Sequence, residues 1–264
     1  MSIIKDNIIY HNVDEIAETS LGNKLYRYKK SVMSKINDNA GMAAECSCGC
    51  ELRFETDSPQ ITLTIYSEGD YGNITVYNGN NVNSTYRITH SGMQSITVNT
   101  NGTYENVSDG FLNGGLFGKN VWRIYFHIAR VRVVDITALG YDIRVPDAKM
   151  LPKKTLLSYG SSISHGFSTL DHTLCYARHT AKLLGYDCLI KGVSGSCRCE
   201  REIAEDFAAR NDYDATLLEL GVNMVTTFTE KEFQKRAESF IEIMSAVGKP
   251  IIILTMFPCL YSDS

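Results

Sequence analysis

The 264-residue chain has no apolar run long enough to cross a bilayer, no basic surplus and no recognisable secretory leader. A spanning helix needs roughly 20 consecutive apolar residues, so none is expected. With 26 basic and 30 acidic residues the net charge is −4, which gives no general attraction to nucleic acid or anionic lipid. The opening MSIIKDNIIYHNVDE carries acidic residues where a leader needs its apolar core, so a cytoplasmic protein is expected. In that compartment the sequons at Asn73, Asn83, Asn101 and Asn106 read as Asn-rich loops rather than glycan sites. The densest basic run, Arg27-Tyr28-Lys29-Lys30, reads as a solvated strand edge.

Zinc spacing is missing too. The eight cysteines include CSCGC (Cys46, Cys48, Cys50) and CRC (Cys197, Cys199), whereas paired zinc ligands usually stand two to four residues apart. On a strand, a period of two places the first three thiols on one face, as small buried residues. A reducing compartment disfavours disulfides. Neither a metal nor an organic cofactor is expected.

What is present falls into two halves with different grammar, and two domains suit this length. Hydrophobic content of 44% and charged content of 21% are those of a globular protein with a substantial core. Residues 1–145 hold short alternating runs such as CELRFETDSPQITLTIYS and NITVYNGNNVNSTYRIT, and a late apolar run, NVWRIYFHIARVRVVDITAL. The Asn-Gly in YNGN (77–80) suits a tight hairpin turn. An all-β sandwich or jelly roll is the expectation. Residues 141–154, with Pro146 and Pro152, read as a linker.

Residues 146–264 alternate strand and helix. TLLSY, CLIKG, ATLLEL and IIILTMFP read as strands, separated by helical stretches. In DHTLCYARHTAKLLG a face of Leu174, Ala177, Ala181 and Leu184 is expected; in EREIAEDFAAR, Ile203 and Phe207 point inward. Thr229 and Glu232 form a capping box before a face of Phe233, Ala237, Phe240, Ile241 and Met244, and Gly248-Lys249-Pro250 ends that helix. Such a series predicts a parallel sheet with helices on both faces.

Sites in open parallel sheets gather at the carboxyl ends of the strands. Three turns stand there: Gly160-Ser161-Ser162, Gly192-Val193-Ser194-Gly195 and Gly221-Val222-Asn223. They offer a hydroxyl, a backbone amide unobstructed by a side chain and a carboxamide. Acyl transfer needs these groups, a nucleophile and preorganised donors for the oxyanion. Each turn alone is an ordinary strand-to-helix connection; the ordered set of three is not.

Here the sequence resembles the SGNH, or GDSL-type, hydrolases. YGSSISHG is similar to their first block, which implies Ser162 as nucleophile, with Ser161 where Asp is commoner. GVSGSC resembles the second and implies the Gly195 amide as an oxyanion donor. LELGVNM resembles the third and implies Asn223 as another, with Met224 where Asp is more usual. The β half followed by LPKKTLLSYGSSISHG, GVSGSCRCE and LELGVNM is similar to the SsfX3-like esterases, which pair a jelly-roll domain with the hydrolase domain. The resemblance implies hydrolysis of small acyl esters, such as acetyl, on a carbohydrate or glycosylated metabolite.

The family's last block, Asp-x-x-His, supplies the general base, and no Asp-x-x-His occurs here. His165, three residues past Ser162, reads as a helix-start residue touching backbone or solvent. His172 and His179 read as surface residues, while His90 and His127 could reach the cleft only through packing of the β half. Truncation of a longer esterase is the leading reading, beside completion by another chain and a binding protein without the base. Impaired turnover is expected. The alternative function is non-catalytic carbohydrate binding on Trp122 or exposed tyrosines. The last strand would leave an apolar sheet edge, so a homo-oligomer is also expected.

Overall fold

A computed structural model describes residues 2–100, 107, 108, 110, 115–167, 169, 174–225 and 227–256. Two antiparallel sheets make the first half. One runs β1 (Ile3–Lys5), β2 (Ile8–His11), β5 (Glu51–Glu55), β10 (Val121–His127), β7 (Asn73–Asn78), β8 (Asn81–Arg87). The other runs β3 (Glu15–Thr19), β4 (Gly22–Tyr26), β11 (Val131–Thr137), β6 (Gln60–Ser67), β9 (Gly92–Asn99). Their inner faces share one core, to which β6 contributes Ile61, Leu63 and Ile65. The alternate threonines of β6 face out and pair across the strands, Thr62 with Thr97 and Thr64 with Ser95.

β10 breaks this alternation, for all seven of its residues are buried. Trp122, Ile124 and Phe126 enter the sandwich core. Arg123, Tyr125 and His127 lie on the opposite face, which the second half of the chain covers. Trp122 is only 2% exposed and stacks on Phe54, so it offers no platform to a sugar ring. The hairpin at YNGN forms, but Asn78 pairs with Asn81 and the loop is Gly79-Asn80, with φ +58° at Gly79.

The second half is a parallel sheet ordered β13 (Asp187–Ile190), β12 (Thr155–Tyr159), β14 (Ala215–Glu219), β15 (Ile251–Leu254). Numbering the helices in chain order, α1 (Lys30–Met33) and α2 (Asp38–Ala44) precede α3 (Ser162–His165), α4 (Tyr176–Leu183), α5 (Arg201–Ala208) and α6 (Glu230–Ser245). Leu156, Ile190 and Leu217 face α4 through Ala177 and Ala181. Leu157, Tyr159, Leu189 and Leu218 face α5 and α6 through Ile203, Phe207, Phe240 and Met244. The expected capping box starts α6: Glu232 N donates to Thr229 Oγ1 at 3.3 Å, and Thr229 N to Glu232 Oε2 at 3.0 Å.

Several expectations are corrected. Leu174 and Leu184 are 62% and 47% exposed, because both lie outside α4, which spans two turns and packs on the sheet through Ala177, Ala181 and Tyr176. The CSCGC segment is turn rather than strand, with each thiol buried against a different carbonyl. Nor is Arg27 at a solvated edge. It is fully buried, donating to Cys46 O, Ala43 O, Ile190 O and Gly192 O at 2.7–2.9 Å. Tyr28, with Val32, Ile36, Ala40 and Ala44 around α1 and α2, joins the core of the parallel sheet.

These contacts close one edge of the sheet. Among the described residues no further strand pairs beside β13; side chains of the first half reach its carbonyls instead. His11 reaches Cys188 O at 2.9 Å, and Asn12 and Arg27 reach Ile190 O at 3.1 and 2.9 Å. An open edge is thereby covered and its polar groups paired.

Candidate functional site

The three turns meet where the strands end. β12 delivers Gly160, where an added Cβ would lie 2.3 Å from Ser164 Oγ and 2.6 Å from Glu219 Oε2. Only glycine lets this loop cross the end of β14. Ser161 follows, fully buried: its amide and its hydroxyl both donate to Glu219 Oε2 at 2.7 Å. Its oxygen also accepts from Ile163 N at 3.2 Å and so caps α3. Ser164 donates to the same carboxylate oxygen at 3.0 Å.

Ser162, the first residue of α3, is half-buried, and among the described residues its hydroxyl has no hydrogen-bond partner. The two adjacent serines are thus separated by environment: one is held as a cap, the other is available.

The second turn runs from Gly192. A Cβ there would lie 2.4 Å from His165 N, so the residue permits close approach of α3. Ser196 N closes the turn on Val193 O at 3.1 Å, with Gly195 left-handed at φ +72°, exposed and in open space. Asn37, the N-cap of α2, braces the turn by donating to Ser196 O at 3.3 Å. In the third turn Asn223 Oδ1 accepts from Cys197 N at 3.0 Å. That bond fixes which end of the amide is free: among the described residues Nδ2 donates to none. Met224 is buried in the core under α6 rather than in the turn's polar surface.

Histidine placement differs from expectation at one described position. The His165 ring is only 2% exposed, and among the described residues both its nitrogens lack a hydrogen-bond partner. Burial, then the charge of Arg27 and the neighbouring His127, hold it well below the usual histidine pKa, so it is neutral. It lines a cleft of about 340 Å³ with Ser194, Gly195, Phe167 and, from the first half, Tyr71 and Arg130. His127 does reach this region, its Nε2 lying 3.2 Å from Gly166 O and 3.1 Å from Thr169 Oγ1. His90 and His179 are exposed, and His172 lies outside the described residues. No described histidine hydrogen-bonds Ser162.

Glu219 is the residue that sequence reasoning passed over. Its signal was present: an acid inside the apolar run ATLLEL must find buried donors. Among the described residues no group of three or more His, Cys, Asp or Glu is arranged to hold a metal ion, and no helix is long and apolar enough to cross a membrane.

Residues 153–259 match the model of the GDSL-like Lipase/Acylhydrolase family. No match was found among curated proteins. Among solved structures, the salicylyl-acyltransferase SsfX3 from a tetracycline biosynthetic pathway superposes with a TM-score of 0.75 at 13% identity, over 95% of this chain and 70% of that one. A putative GDSL-like lipase from Bacteroides ovatus gives 0.66 at 18%, over 93% and 73%. A family two carbohydrate esterase from Clostridium thermocellum gives 0.58 at 11%, over 83% and 75%. The motif turns at the strand ends, the match of the α/β half and the shared two-part fold point the same way: residues 153–259 resemble a hydrolase domain of the GDSL-like lipase/acylhydrolase family.

Proposed function

We propose that this chain is a serine esterase in which Ser162 attacks small acyl esters, such as acetyl, of a carbohydrate or glycosylated metabolite. The observation that carries this reading is the division of labour between the two serines. Glu219 occupies Ser161, while among the described residues the Ser162 hydroxyl, at the end of β12, has no partner. The Ser162 amide, the Gly195 amide and Asn223 Nδ2 hold the oxyanion, and the Cys197–Asn223 bond keeps that amide from flipping. The carbohydrate esterases among the structural neighbours, including an acetyl xylan esterase from Butyrivibrio proteoclasticus, support the substrate class. Residues 1–145 act as a carbohydrate-module-like domain and 146–264 as the hydrolase domain, in the cytoplasm and without a cofactor.

Because no described histidine hydrogen-bonds Ser162, turnover falls orders of magnitude below that of a complete triad, leaving what binding and oxyanion stabilisation supply. The test is p-nitrophenyl acetate hydrolysis with fluorophosphonate labelling of the wild type, Ser162→Ala and Ser161→Ala. Slow hydrolysis and labelling abolished only by Ser162→Ala support the reading. Equal rates for wild type and Ser162→Ala sink it and favour a carbohydrate-binding protein.

A further inference from the structure

A second cleft, of about 720 Å³, opens between the outer face of the six-stranded sheet and α4; Ser162, Gly195 and Asn223 do not line it. Its floor is an ion network. Arg53 donates to Asp187 through Nη1 and Nη2 at 2.6 and 2.9 Å, and to Glu51 Oε1 through Nε at 3.0 Å. Arg123 donates to both oxygens of Glu51, Nη2 to Oε2 at 3.0 Å, and to Gly79 O at 3.1 Å. Both carboxylates are therefore already engaged by a guanidinium. Beside them His11 is neutral, burial having lowered its pKa to about 4.

Arg178 of α4 is the third guanidinium, and among the described residues its only carboxylate is Glu51, which Arg53 and Arg123 already hold. Its Nη1 lies 4.0 Å from Glu51 Oε2, beyond hydrogen-bond length. Beyond that distant attraction and the side chain of Tyr125 it has ring faces, with its Cζ 4.2 Å from the Tyr125 centroid and 5.6 Å from that of Tyr77. The side chain is 18% exposed, toward the cleft it lines. Lys182 at the rim adds further positive charge, and the exposed Leu174 and Leu183 give the rim an apolar surface. Three cations over two anions in a largely desolvated wall are costly unless a ligand completes the set.

We propose that this cleft binds a small organic oxyanion, with the carboxylate or phosphate group on the Arg178 guanidinium and the organic body against the leucine rim. A guanidinium presents parallel N–H donors that match either oxyanion, and a partly buried site strengthens the pairing. Positive charge alone would gather anions loosely; the cleft's volume of about 720 Å³ and its apolar rim favour a compact organic body over a free ion.

The test is isothermal titration of the full chain with glucuronate, glucose 6-phosphate, inorganic phosphate and neutral glucose. At least one sugar anion is expected to bind, with affinity falling as salt rises, and glucose is not. Arg178→Gln should weaken binding about tenfold or more, with the fold checked by circular dichroism. Leu183→Glu, at an exposed rim position, should weaken it without touching the ion network, and decides the matter if Arg178→Gln does not fold. Preference for glucuronate or for glucose 6-phosphate assigns the oxyanion. Binding of inorganic phosphate alone, without either sugar anion, would overturn the proposal, for the leucine rim would then select nothing. Glucose binding as well as the anions, no anion binding, or affinities unchanged in both variants would overturn the proposal.

Discussion

Ser161 and Glu219 are joined twice, amide and hydroxyl of the serine both donating to one carboxylate oxygen 2.7 Å away. With Ser164 as a third donor, that oxygen ties the turn after β12 to the end of β14. Each hydrogen bond to a buried charge contributes about 1.5–3 kcal/mol. Glu219→Ala should therefore cost at least about 3 kcal/mol in urea unfolding, and Glu219→Gln, which keeps an acceptor, less. A Glu219→Ala variant as stable as the wild type would mean that the carboxylate does not hold this turn.

Two glycines of the site should respond differently to alanine. At Gly160 the new Cβ meets Ser164 Oγ at 2.3 Å and Glu219 O at 2.8 Å, so Gly160→Ala should lower the melting temperature sharply and abolish Ser162 labelling. At Gly195 there is open space, and the cost is only that of holding φ +72°, about 1 kcal/mol. Gly195→Ala should stay folded while its ester turnover drops. Equal melting points for the two variants would contradict the packing difference.

Stability should fall in two acid windows. His11, lowered from 6.5 to about 4 mainly by burial and then by Arg53, binds its proton more readily when unfolded. Between those values the unfolded state holds more protons, so stability falls as pH falls, by up to about 3 kcal/mol from this group. His165, lowered by burial, adds to the same window. Asp14 and Asp187 act below it. Burial raises both, but Lys191 and Arg210 beside Asp14, and Arg53 beside Asp187, outweigh it and hold each at about 2. Their contribution is present above the ordinary value of 3.8 and is lost as pH falls toward 2. Urea unfolding from pH 7 to 4 should show a shallower slope for His11→Asn than for wild type; identical slopes would refute the assignment.

The β15 edge should promote self-association, for Ile252 and Ile253 are 40% and 45% exposed among the described residues. Size-exclusion chromatography of the wild type should shift with concentration, and Ile253→Lys should reduce the shift. A monomer at every concentration for both would rule this edge out.

Much of this was legible in the chain. YGSSISHG, GVSGSC and LELGVNM stand at strand ends because parallel strands alternate with helices, and the Thr229–Glu232 capping box is local chemistry. What stayed hidden depends on distant packing. Alternation along ELRFE and VWRIYFH tells which residues share a face, but not that a second layer buries Glu51, Arg53 and Arg123. Arg27 looked solvated because its acceptors, Ile190 O and Gly192 O, lie 163 and 165 residues away. Leu174 and Leu184 fit a helical period that the short α4 does not use.

The closure of β13 by His11, Asn12 and Arg27 has a consequence for synthesis on the ribosome. The donors are translated 163–178 residues before the carbonyls they satisfy. Throughout that interval Arg27 has only its nearby acceptors, Ala43 O and Cys46 O, and the acceptors of His11 and Asn12 on β13 are not yet made. Docking of the β half must wait until β13 has emerged, so that half reaches its final environment only by a long-range contact with chain made much later.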